Sequence, residues 1–560
     1  MRFFNTAGPV NCADHYCLPP LERFDLAAIL NLIAQRKYFV LHAPRQTGKT
    51  SALLALREYL NAEGRYRCLY VNFEVAQGYR DEVNQGLVAL LQEIGQQARW
   101  TLGDQTAEAI ARDLIAQSAP SLSVLLGSWC SAADRPTILL IDEIDALVGN
   151  LLITVLRQLR AGYPNRPQAF PSTVVLCGVR DVRDYRLRSD AGGEIITGGS
   201  AFNIKAESLR LGDFTRAEME RLYAEHTRET GQVFEPEALA TAWELTQGQP
   251  WLVNALAYEV VFRMPAGRDR SQPINAEMFY EAKENLIQRR ETHLDQLTDK
   301  LQEERVRRVI EPMLQSVAAE QDFRPADVEY VIDLGLIRRD RTGGLHLANP
   351  IYREIIPREL TWGMQSGIIE DSAWYIRPDG WLDLAALLAA FQQFFREHSE
   401  HWIERFDYKE AGPQLLLQAF LQRIVNGGGR VEREYGLGRM RTDLLVIWPV
   451  IERGGQIRER GTWGKPTYGL PEPAISGPPS AIQRAVIELK VLHKSLEQTV
   501  SAGLAQTWEY ADRCGATEAH LVIFDRTPGK PWEEKIFQRT ETYRGDAGVP
   551  AAFPITVWGM

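Results

Sequence analysis

Four short apolar runs between residues 37 and 178 constrain the fold more than any other feature of the sequence. They are almost continuously apolar rather than alternating, which is typical of strands buried on both faces of a parallel sheet. Stretches with helical spacing separate them, and this order of elements predicts an α/β domain. The runs are KYFVLH (37–42), RCLYVNFE (67–74), TILLID (137–142) and STVVLCG (172–178).

A loop that contains a Gly-Lys-Thr sequence follows the first run and precedes an apolar-periodic helix. Backbone N–H groups of such a loop surround phosphate oxygens, and the helix N-terminus favours negative charge. We expect Lys49 to reach the β- and γ-phosphates of ATP and the Thr50 hydroxyl to ligate Mg²⁺. The predicted nucleotide-binding loop consists of Ala43, Pro44, Arg45, Gln46, Thr47, Gly48, Lys49, Thr50 and Ser51. Ala43 stands where this pattern usually has its first glycine.

The third run ends in acidic residues, in the sequence TILLIDEID. We expect Asp142 to hold Mg²⁺ through water and Glu143 to polarise the water that attacks ATP. The alternative is that these acids only cap the next helix. After the fourth run, Arg180 is a candidate sensor of the γ-phosphate, and Arg183 or Arg188 is a candidate finger toward a neighbouring subunit. Surface ion pairs are the alternative for all three arginines.

The order of parts up to about residue 360 resembles the AAA-like, archaeal-type and STAND-related P-loop ATPases. The matching stretches are LPPLERF, APRQTGKTS, ILLIDEID, LRLGDFTRAE and TQGQPWLVNAL. In the last of these, Gly248 and Pro250 match the start of a lid helix in that family. The resemblance implies ATP-driven conformational switching, often with assembly of several copies, in which a winged helix reports the nucleotide state.

The pattern along the chain predicts five regions. Residues 1–205 form the ATPase core, 206–270 a helical lid, 271–360 a helical and winged-helix domain, 361–400 a helical connector, and 401–560 a last α/β domain. Thr215 and Glu218 predict a capping box at the start of a lid helix. The winged helix is predicted from DVEYVIDLGLIRRDRTGGLHLANP, a helix followed by a glycine-tipped hairpin. Packing without any DNA contact is the alternative role for it.

The last domain carries a second set of polar residues. Asp443 precedes a strand at 444–448, and Glu488 and Lys490 lie on a strand at 486–491, where a period of two puts them on one face. An acid and a lysine on an apolar strand are costly to bury, so we expect them to face a cleft or each other. Gln506 and Tyr510 are four apart on one helix face, where they are suited to contact a DNA backbone or orient the lysine.

This arrangement suits phosphodiester hydrolysis. Asp443 and Glu488 would hold one or two metal ions, Lys490 would position the attacking water, and Glu410 would complete the metal shell. The pattern resembles the PD-(D/E)XK nucleases of the RecB-like branch over about residues 400–545, with Thr442 instead of proline before Asp443. The resemblance implies a small mixed sheet flanked by helices and cleavage that depends on Mg²⁺ or Mn²⁺. Binding without cleavage is the alternative.

Basic residues outnumber acidic ones between residues 430 and 465, and aromatic residues lie among them. Arg439 and Arg441 flank the predicted metal site and are candidate nucleic-acid contacts. A solvated loop with an ordinary charge mixture is the alternative for 452–465.

Composition limits the function classes. The 560 residues carry a formal net charge of −10, which excludes a uniformly basic nucleic-acid coat protein. The six cysteines show no CxxC pair and the nine histidines are dispersed, so a reducing compartment and no histidine metal site are expected. The sequence has no signal-peptide pattern and no apolar run of 18 residues, which predicts a cytoplasmic protein with no membrane partner.

Together these patterns predict an ATP-hydrolysing switch coupled to a metal-dependent DNA nuclease, with DNA and further copies of the chain as partners. Family analogy suggests a role in prokaryotic defence against foreign DNA. One alternative is a STAND-like regulator whose C-terminal domain binds nucleic acid or a partner without cleaving it. Another is an ATPase subunit that delivers DNA or a protein to a different enzyme.

Overall fold

The computed structural model divides the chain into two compact units, which we describe separately. Unit 1 comprises Met1–Met313 and Glu320–Ile355, and unit 2 contains Ile356–Met560. The structure describes residues 1–180, 186–188, 195–197, 202–289, 300–301, 303–313, 323–340, 342–360, 375–403, 417, 420–421, 429–437, 440–450, 481–492, 495–525, 527, 530–543 and 553–560.

Within the described residues, unit 1 contains strands β1–β11 and helices α1–α13, and α14 begins in unit 1 and ends in unit 2. The strands are β1 (Phe3–Phe4), β2 (His15–Tyr16), β3 (Tyr38–His42), β4 (Arg67–Asn72), β5 (Thr137–Asp142), β6 (Thr173–Gly178), β7 (Arg186–Arg188), β8 (Ile195–Thr197), β9 (Lys205–Arg210), β10 (Ile337–Arg339) and β11 (Leu345–Leu347). The helices are α1 (Leu26–Ala34), α2 (Lys49–Glu63), α3 (Val83–Leu102), α4 (Thr106–Ala116), α5 (Leu122–Ser131), α6 (Gly149–Gly162), α7 (Arg216–Thr230), α8 (Pro236–Thr246), α9 (Pro250–Tyr258), α10 (Pro265–Arg268), α11 (Ala276–Arg289), α12 (Glu304–Met313), α13 (Pro325–Asp333) and α14 (Pro350–Leu360).

Unit 1 is built on a parallel five-stranded sheet with the order β4-β5-β6-β3-β9. Side chains of β3 alternate between two cores: Tyr38 and Val40 pack with α3–α6, whereas Phe39 and Leu41 pack with α1 and α2. Because both faces of the sheet are covered, the central strands are almost continuously apolar. The four strands predicted from the apolar runs are confirmed.

The fifth strand, β9, begins at the predicted end of the ATPase core and lies beyond it for most of its length. It reads KAESLR, and no residue in it is fully buried. It pairs with β3 at the edge of the sheet. Edge strands need less apolar surface than central ones, so this strand has no apolar run that marks it in the sequence.

Helices α7–α10 lie in the region predicted as the lid, and the capping box predicted at Thr215 and Glu218 is present at the start of α7. The predicted helix and hairpin after residue 323 are α13 and the antiparallel pair β10–β11, whose turn contains Gly343 and Gly344. We use the predicted name, winged helix, for this helix and hairpin.

Unit 2 contains a mixed six-stranded sheet. Its strands are β12 (Arg430–Leu437), β13 (Met440–Val450), β14 (Ala481–Val491), β15 (Glu518–Phe524), β16 (Phe537–Tyr543) and β17 (Phe553–Gly559), in the order β12-β13-β14-β15-β17-β16. Its helices within the described residues are α15 (Leu384–Ile403), α16 (Leu496–Cys514) and α17 (Trp532–Lys535). Strands β14, β15 and β17 are parallel, and the other neighbours are antiparallel.

Helix α15 corrects the prediction of a helical connector at 361–400. Its apolar side chains, including Leu387, Leu388 and Phe391, are fully buried in one core with Leu444 and Ile487 of the sheet. Helix α16 covers the opposite face with Val500, Tyr510 and Ala511. The run LDLAALLAAFQQFF is therefore one layer of unit 2, because its apolar stripe is buried against the strands.

A disulfide joins Cys12 and Cys17 in the N-terminal segment. The expectation of reduced, scattered cysteines is wrong for this pair, because the turn at residues 11–15, which contains Cys12, brings it to a Cα distance of 5.4 Å from Cys17, directly after β2. The other four cysteines are free, and three of them are buried.

Candidate active sites

The predicted nucleotide-binding loop between β3 and α2, which we call the P-loop, is shaped by two residues with positive φ, Gln46 (57°) and Gly48 (93°). Helix α2 begins directly after Gly48, so its first N–H groups point into the loop. Ala43 is buried in the core beside α2 and is not among the residues with positive φ. Alanine is therefore accommodated at the position where the pattern usually has glycine.

Lys49 folds back into this loop. Its Nζ atom donates hydrogen bonds to the carbonyl oxygens of Ala43 and Pro44, both at 2.9 Å, and Thr47 Oγ1 donates to the Pro44 carbonyl at 2.8 Å. The lysine is 6% exposed. The ammonium group therefore lies inside the ring of backbone atoms where phosphate oxygens would bind.

The Thr50 hydroxyl donates a hydrogen bond of 2.7 Å to Asp142 Oδ2, which joins the start of α2 to the end of β5. Tyr70 Oη also donates to Asp142 Oδ2, at 3.0 Å. Burial, followed by Asp142 itself, raises the pKa of the Tyr70 hydroxyl, which keeps it protonated as a donor. Hydroxyl and carboxylate oxygens are ligands that suit Mg²⁺. The loop, the start of α2 and the end of β5 therefore meet in one site of unit 1.

Glu143 follows Asp142 in the left-handed region, with φ 52° and ψ 42°. Non-glycine residues adopt this conformation rarely, and such strain is concentrated at functional sites. Burial raises the pKa of its carboxyl group, and the negative charges of Asp145 and Asp142 raise it further. A raised pKa makes the carboxylate a stronger base, which suits a group that takes a proton from water.

Arg23 is a residue of the P-loop site that sequence reasoning did not single out. One guanidinium nitrogen donates to the Thr47 carbonyl at 3.4 Å and another to the Gly212 carbonyl at 2.5 Å, and the group lies 4.3 Å from the ring centre of Phe214. Arg23 lies in the stretch LPPLERF, which is part of the family resemblance. The sequence alone does not show that this arginine connects the P-loop to the segment that leads into the lid.

Two clefts lie on either side of the P-loop within unit 1. The larger, of about 890 Å³, is lined by Pro44 and Arg45, by the residues after β6 and β9, and by the winged helix. The smaller, of about 140 Å³, lies between the N-terminal segment, the P-loop and the lid. The lid turn is fixed there by Gly248 (φ 82°), where a Cβ would lie 2.0 Å from the Phe214 carbonyl oxygen, and Pro250 begins α9.

The winged helix contacts the P-loop directly. Gly335, with φ 78°, lies so close to Pro44 that a Cβ would approach Pro44 Cγ to 2.7 Å. Asp333 Oδ1 lies 3.7 Å from His42 Nδ1, just before the loop. A nitrogen of the Arg210 guanidinium donates to the Ile332 carbonyl at 2.9 Å. One short segment therefore contacts the ends of β3 and β9 and the loop that follows β3.

Arg180 lines the larger cleft, and its guanidinium lies 5.0 Å from the ring centre of Tyr330 in α13. This places it toward the winged helix. Arg183 lies outside the described residues, and Arg188 is in β7 with an undescribed side chain.

In unit 2, Glu488 and Lys490 lie on one face of β14, and Lys490 Nζ donates a hydrogen bond of 2.8 Å to Glu488 Oε1. Glu488 is 1% exposed, whereas the Lys490 side chain is 28% exposed. The carboxylate is therefore buried at the base of the pair, and the ammonium group reaches the surface.

Helix α16 completes a chain of hydrogen bonds. Lys490 Nζ donates to Gln506 Oε1 at 2.8 Å, and Gln506 Nε2 donates to Tyr510 Oη at 2.7 Å. The helix approaches the sheet closely at Gly503, where a Cβ would lie 2.6 Å from Leu521 Cδ2. The structure therefore brings together four of the residues that the sequence singled out.

The remaining predicted residues are described only in part. Leu444 pairs with Ile487, so continuing this antiparallel register by one residue places Asp443 opposite Glu488. The Asp443 side chain is not described, and the same holds for Arg441 in β13. Glu410 and Arg439 lie outside the described residues.

In the part of the chain that the structure describes, no three His, Cys, Asp or Glu side chains cluster as a metal site. In unit 2, the buried carboxylate of Glu488 is an oxygen ligand of the kind that a divalent cation prefers. The strand register places Asp443 opposite it. Among the described helices, none has the length and apolar character needed to cross a membrane.

Three solved structures illustrate what the chain is similar to. The Walker-type ATPase PABY2304 of Pyrococcus abyssi is 14% identical, over 63% of this chain and 99% of that chain, with a TM-score of 0.43. The RuvB Holliday junction branch migration motor of Thermotoga maritima is 14% identical, over 59% and 92%, with a TM-score of 0.31. Cdc6p from Pyrobaculum aerophilum is 15% identical, over 61% and 93%, with a TM-score of 0.32. No family model and no curated protein matches the sequence.

Proposed function

We propose that the chain is an ATP-hydrolysing switch joined to a metal-dependent DNA nuclease. The observation that carries the nuclease half is the continuous chain of hydrogen bonds from Glu488 through Lys490 and Gln506 to Tyr510. A surface ion pair does not need a buried carboxylate and two further polar groups behind the lysine.

In unit 1, the N–H groups of the P-loop and Lys49 bind the phosphates of ATP. Thr50 and Asp142 hold Mg²⁺, which when bound neutralises charge that develops on the phosphates. Glu143 takes a proton from the attacking water. The nucleoside binds in the smaller cleft beside Ser51, between the N-terminal segment and Pro250 of the lid.

The switch is the contact between the winged helix and the P-loop. Gly335 lies against Pro44 of the P-loop, and Asp333 lies near His42, which precedes the loop. A change in the conformation of the loop on ATP binding or hydrolysis therefore changes this packing. Assembly of several copies, with Arg183 or Arg188 near a neighbour's nucleotide, is part of the proposal, as is Arg180 as a sensor of the γ-phosphate.

In unit 2, Glu488 and Asp443 hold Mg²⁺ or Mn²⁺, with Glu410 as a further ligand. The metal, when bound, stabilises the leaving oxygen of the scissile phosphate. Lys490 orients the attacking water, while Gln506 fixes the lysine and Tyr510 fixes the amide. Arg439 and Arg441 contact the DNA backbone. Prokaryotic defence against foreign DNA is the setting that we propose for this pairing of domains.

The second candidate is a STAND-like regulator whose unit 2 binds DNA without cleaving it. The partly exposed side chain of Lys490 favours it, because a lysine that reaches solvent also binds phosphate. Cleavage and binding are separated by the variants below.

The test measures cleavage of supercoiled and linear DNA by the full chain with Mg²⁺ or Mn²⁺, in the presence of ATP. Lys490→Ala and Glu488→Gln should abolish cleavage and retain DNA binding, whereas Lys535→Ala, a lysine of the same unit outside the site, should cleave as wild type does. Binding without cleavage by wild type, with ATP hydrolysis retained, would contradict the nuclease proposal and favour the regulator.

A further inference from the structure

Asp145 is an acidic residue of the P-loop site to which the proposed function gives no role. It lies in the short helical turn Ile144–Ala146, directly after the left-handed residue Glu143. This bend turns the chain from the end of β5 toward the end of β6. Asp145 consequently lines the larger cleft together with Arg45 of the P-loop and Arg180.

The last residue of β6, Gly178, leaves space for the Asp145 carboxylate. A Cβ at Gly178 would lie 2.6 Å from Asp145 Oδ1 and 3.2 Å from Ile144 Cγ2. Here the strand ends without a side chain, and a carboxylate from the neighbouring strand's turn occupies the place.

One oxygen of this carboxylate lacks a donor. Asp145 Oδ1 is buried, and no described residue donates a hydrogen bond to it. Buried carboxylate oxygens are normally satisfied, and exceptions concentrate at functional positions. Packing alone does not explain it, because an apolar side chain would fill the space beside Gly178 without leaving a buried acceptor.

We propose that Asp145 is a second catalytic carboxylate of the ATP site, which accepts a hydrogen bond from the attacking water while Glu143 accepts its proton. This inference rests on the proposed ATPase activity. A water molecule has two hydrogens, so two acceptors fix its orientation and direct an oxygen lone pair at the γ-phosphorus. The water oxygen forms the new bond to phosphorus, the bond from phosphorus to the ADP oxygen breaks, and one water proton passes to Glu143.

The experiment compares ATP hydrolysis and ATP binding in Asp145→Ala, Asp145→Asn and wild type. Asp145→Ala should lower kcat about 100-fold, which is within the range for one positioned acceptor, and leave the Kd for ATP within about twofold. Asp145→Asn keeps an acceptor oxygen and should lose less activity. Asp134→Asn, an exposed acid of the same unit, is the matched control.

A double variant distinguishes this role from a structural one. Because both acids act on one water, Asp145→Ala combined with Glu143→Gln should be no slower than Glu143→Gln alone. Gly178→Ala, which displaces the carboxylate, should lower kcat without loss of ATP binding. Additive losses, a kcat unchanged in Asp145→Ala, or equal losses of kcat and ATP affinity would each overturn the inference.

The two proposals fail in different ways. If wild type hydrolyses ATP and the Asp145 variants do so equally well, the inference is wrong and the ATPase proposal stands. If wild type binds ATP and never hydrolyses it, under conditions in which Mg²⁺ is present, both are wrong.

Discussion

Gly335 of the winged helix lies against Pro44 of the P-loop, and a methyl group on Gly335 would come within 2.7 Å of Pro44 Cγ. No side chain larger than hydrogen fits unless the two segments separate. This contact gives the nucleotide site a direct mechanical connection to the winged helix. Its strength is open to measurement.

Gly335→Ala should speed the release of bound ADP several-fold, because the added methyl group displaces the winged helix from the loop. Gly343→Ala is the control. Gly343 has a similar φ of 91°, and no atom lies within 4 Å of the place that an added methyl group would take, so it carries the same backbone cost of about 1 kcal/mol without the clash. Stopped-flow release of a fluorescent ADP analogue measures both. Equal release rates in the two variants would contradict the connection.

Thr50→Ala should lower the rate of ATP hydrolysis at least about 100-fold, equivalent to about 2.7 kcal/mol of transition-state stabilisation. The reason is that the hydroxyl bonded to Asp142 is a proposed ligand of the metal. Nucleotide binding measured in EDTA should not change. Ser131→Ala, which removes an exposed hydroxyl of α5, is the control and should hydrolyse ATP normally.

The strands of both sheets could be predicted to different extents. Central strands of unit 1 are recognisable because burial on both faces makes them continuously apolar. The predicted domain boundary cuts β9, because this edge strand carries polar residues. Helix α15 is recognisable as a helix, but its pattern of apolar residues cannot show that the surface it packs on is β13 and β14.

The candidate sites show the same limit. Lys490 and Gln506 are 16 residues apart, and their contact is one of the two roles that the sequence leaves open for Gln506. Asp145 and Gly178 are not recognisable as a pair, because their contact depends on a left-handed Glu143 and on two neighbouring strands. The disulfide between Cys12 and Cys17, which are five residues apart, likewise depends on the shape of a turn, and the spacing of the two cysteines does not reveal that shape.

Gln506→Ala should slow DNA cleavage about 10-fold, because Lys490 keeps Glu488 and loses the amide that fixes its direction. The affinity for DNA should change little. Gln498→Ala, an exposed glutamine on the same helix, is the control. Rates under single-turnover conditions, with cleavage and binding measured separately, check this prediction; a parallel loss of DNA affinity would indicate a binding role instead.

The denatured protein without reductant should show four reactive thiols, and six after reduction. Cys12 and Cys17 are paired, whereas Cys68, Cys130, Cys177 and Cys514 are free. Closing so short a loop stabilises the folded segment by about 2 kcal/mol in the chain-entropy model. Thiol titration counts the groups, and Cys12→Ser should give five before and after reduction. Six thiols in the unreduced wild type would contradict the pairing.

The most direct test of the account is the dependence of DNA cleavage on nucleotide. Cleavage by wild type with Mg²⁺ should differ at least about 10-fold between ATP and no nucleotide. Lys49→Ala, which removes the ammonium group from the P-loop, should cleave at one rate with or without ATP. Lys490→Ala should not cleave under either condition. Equal cleavage by wild type with and without ATP would contradict a switch that controls the nuclease.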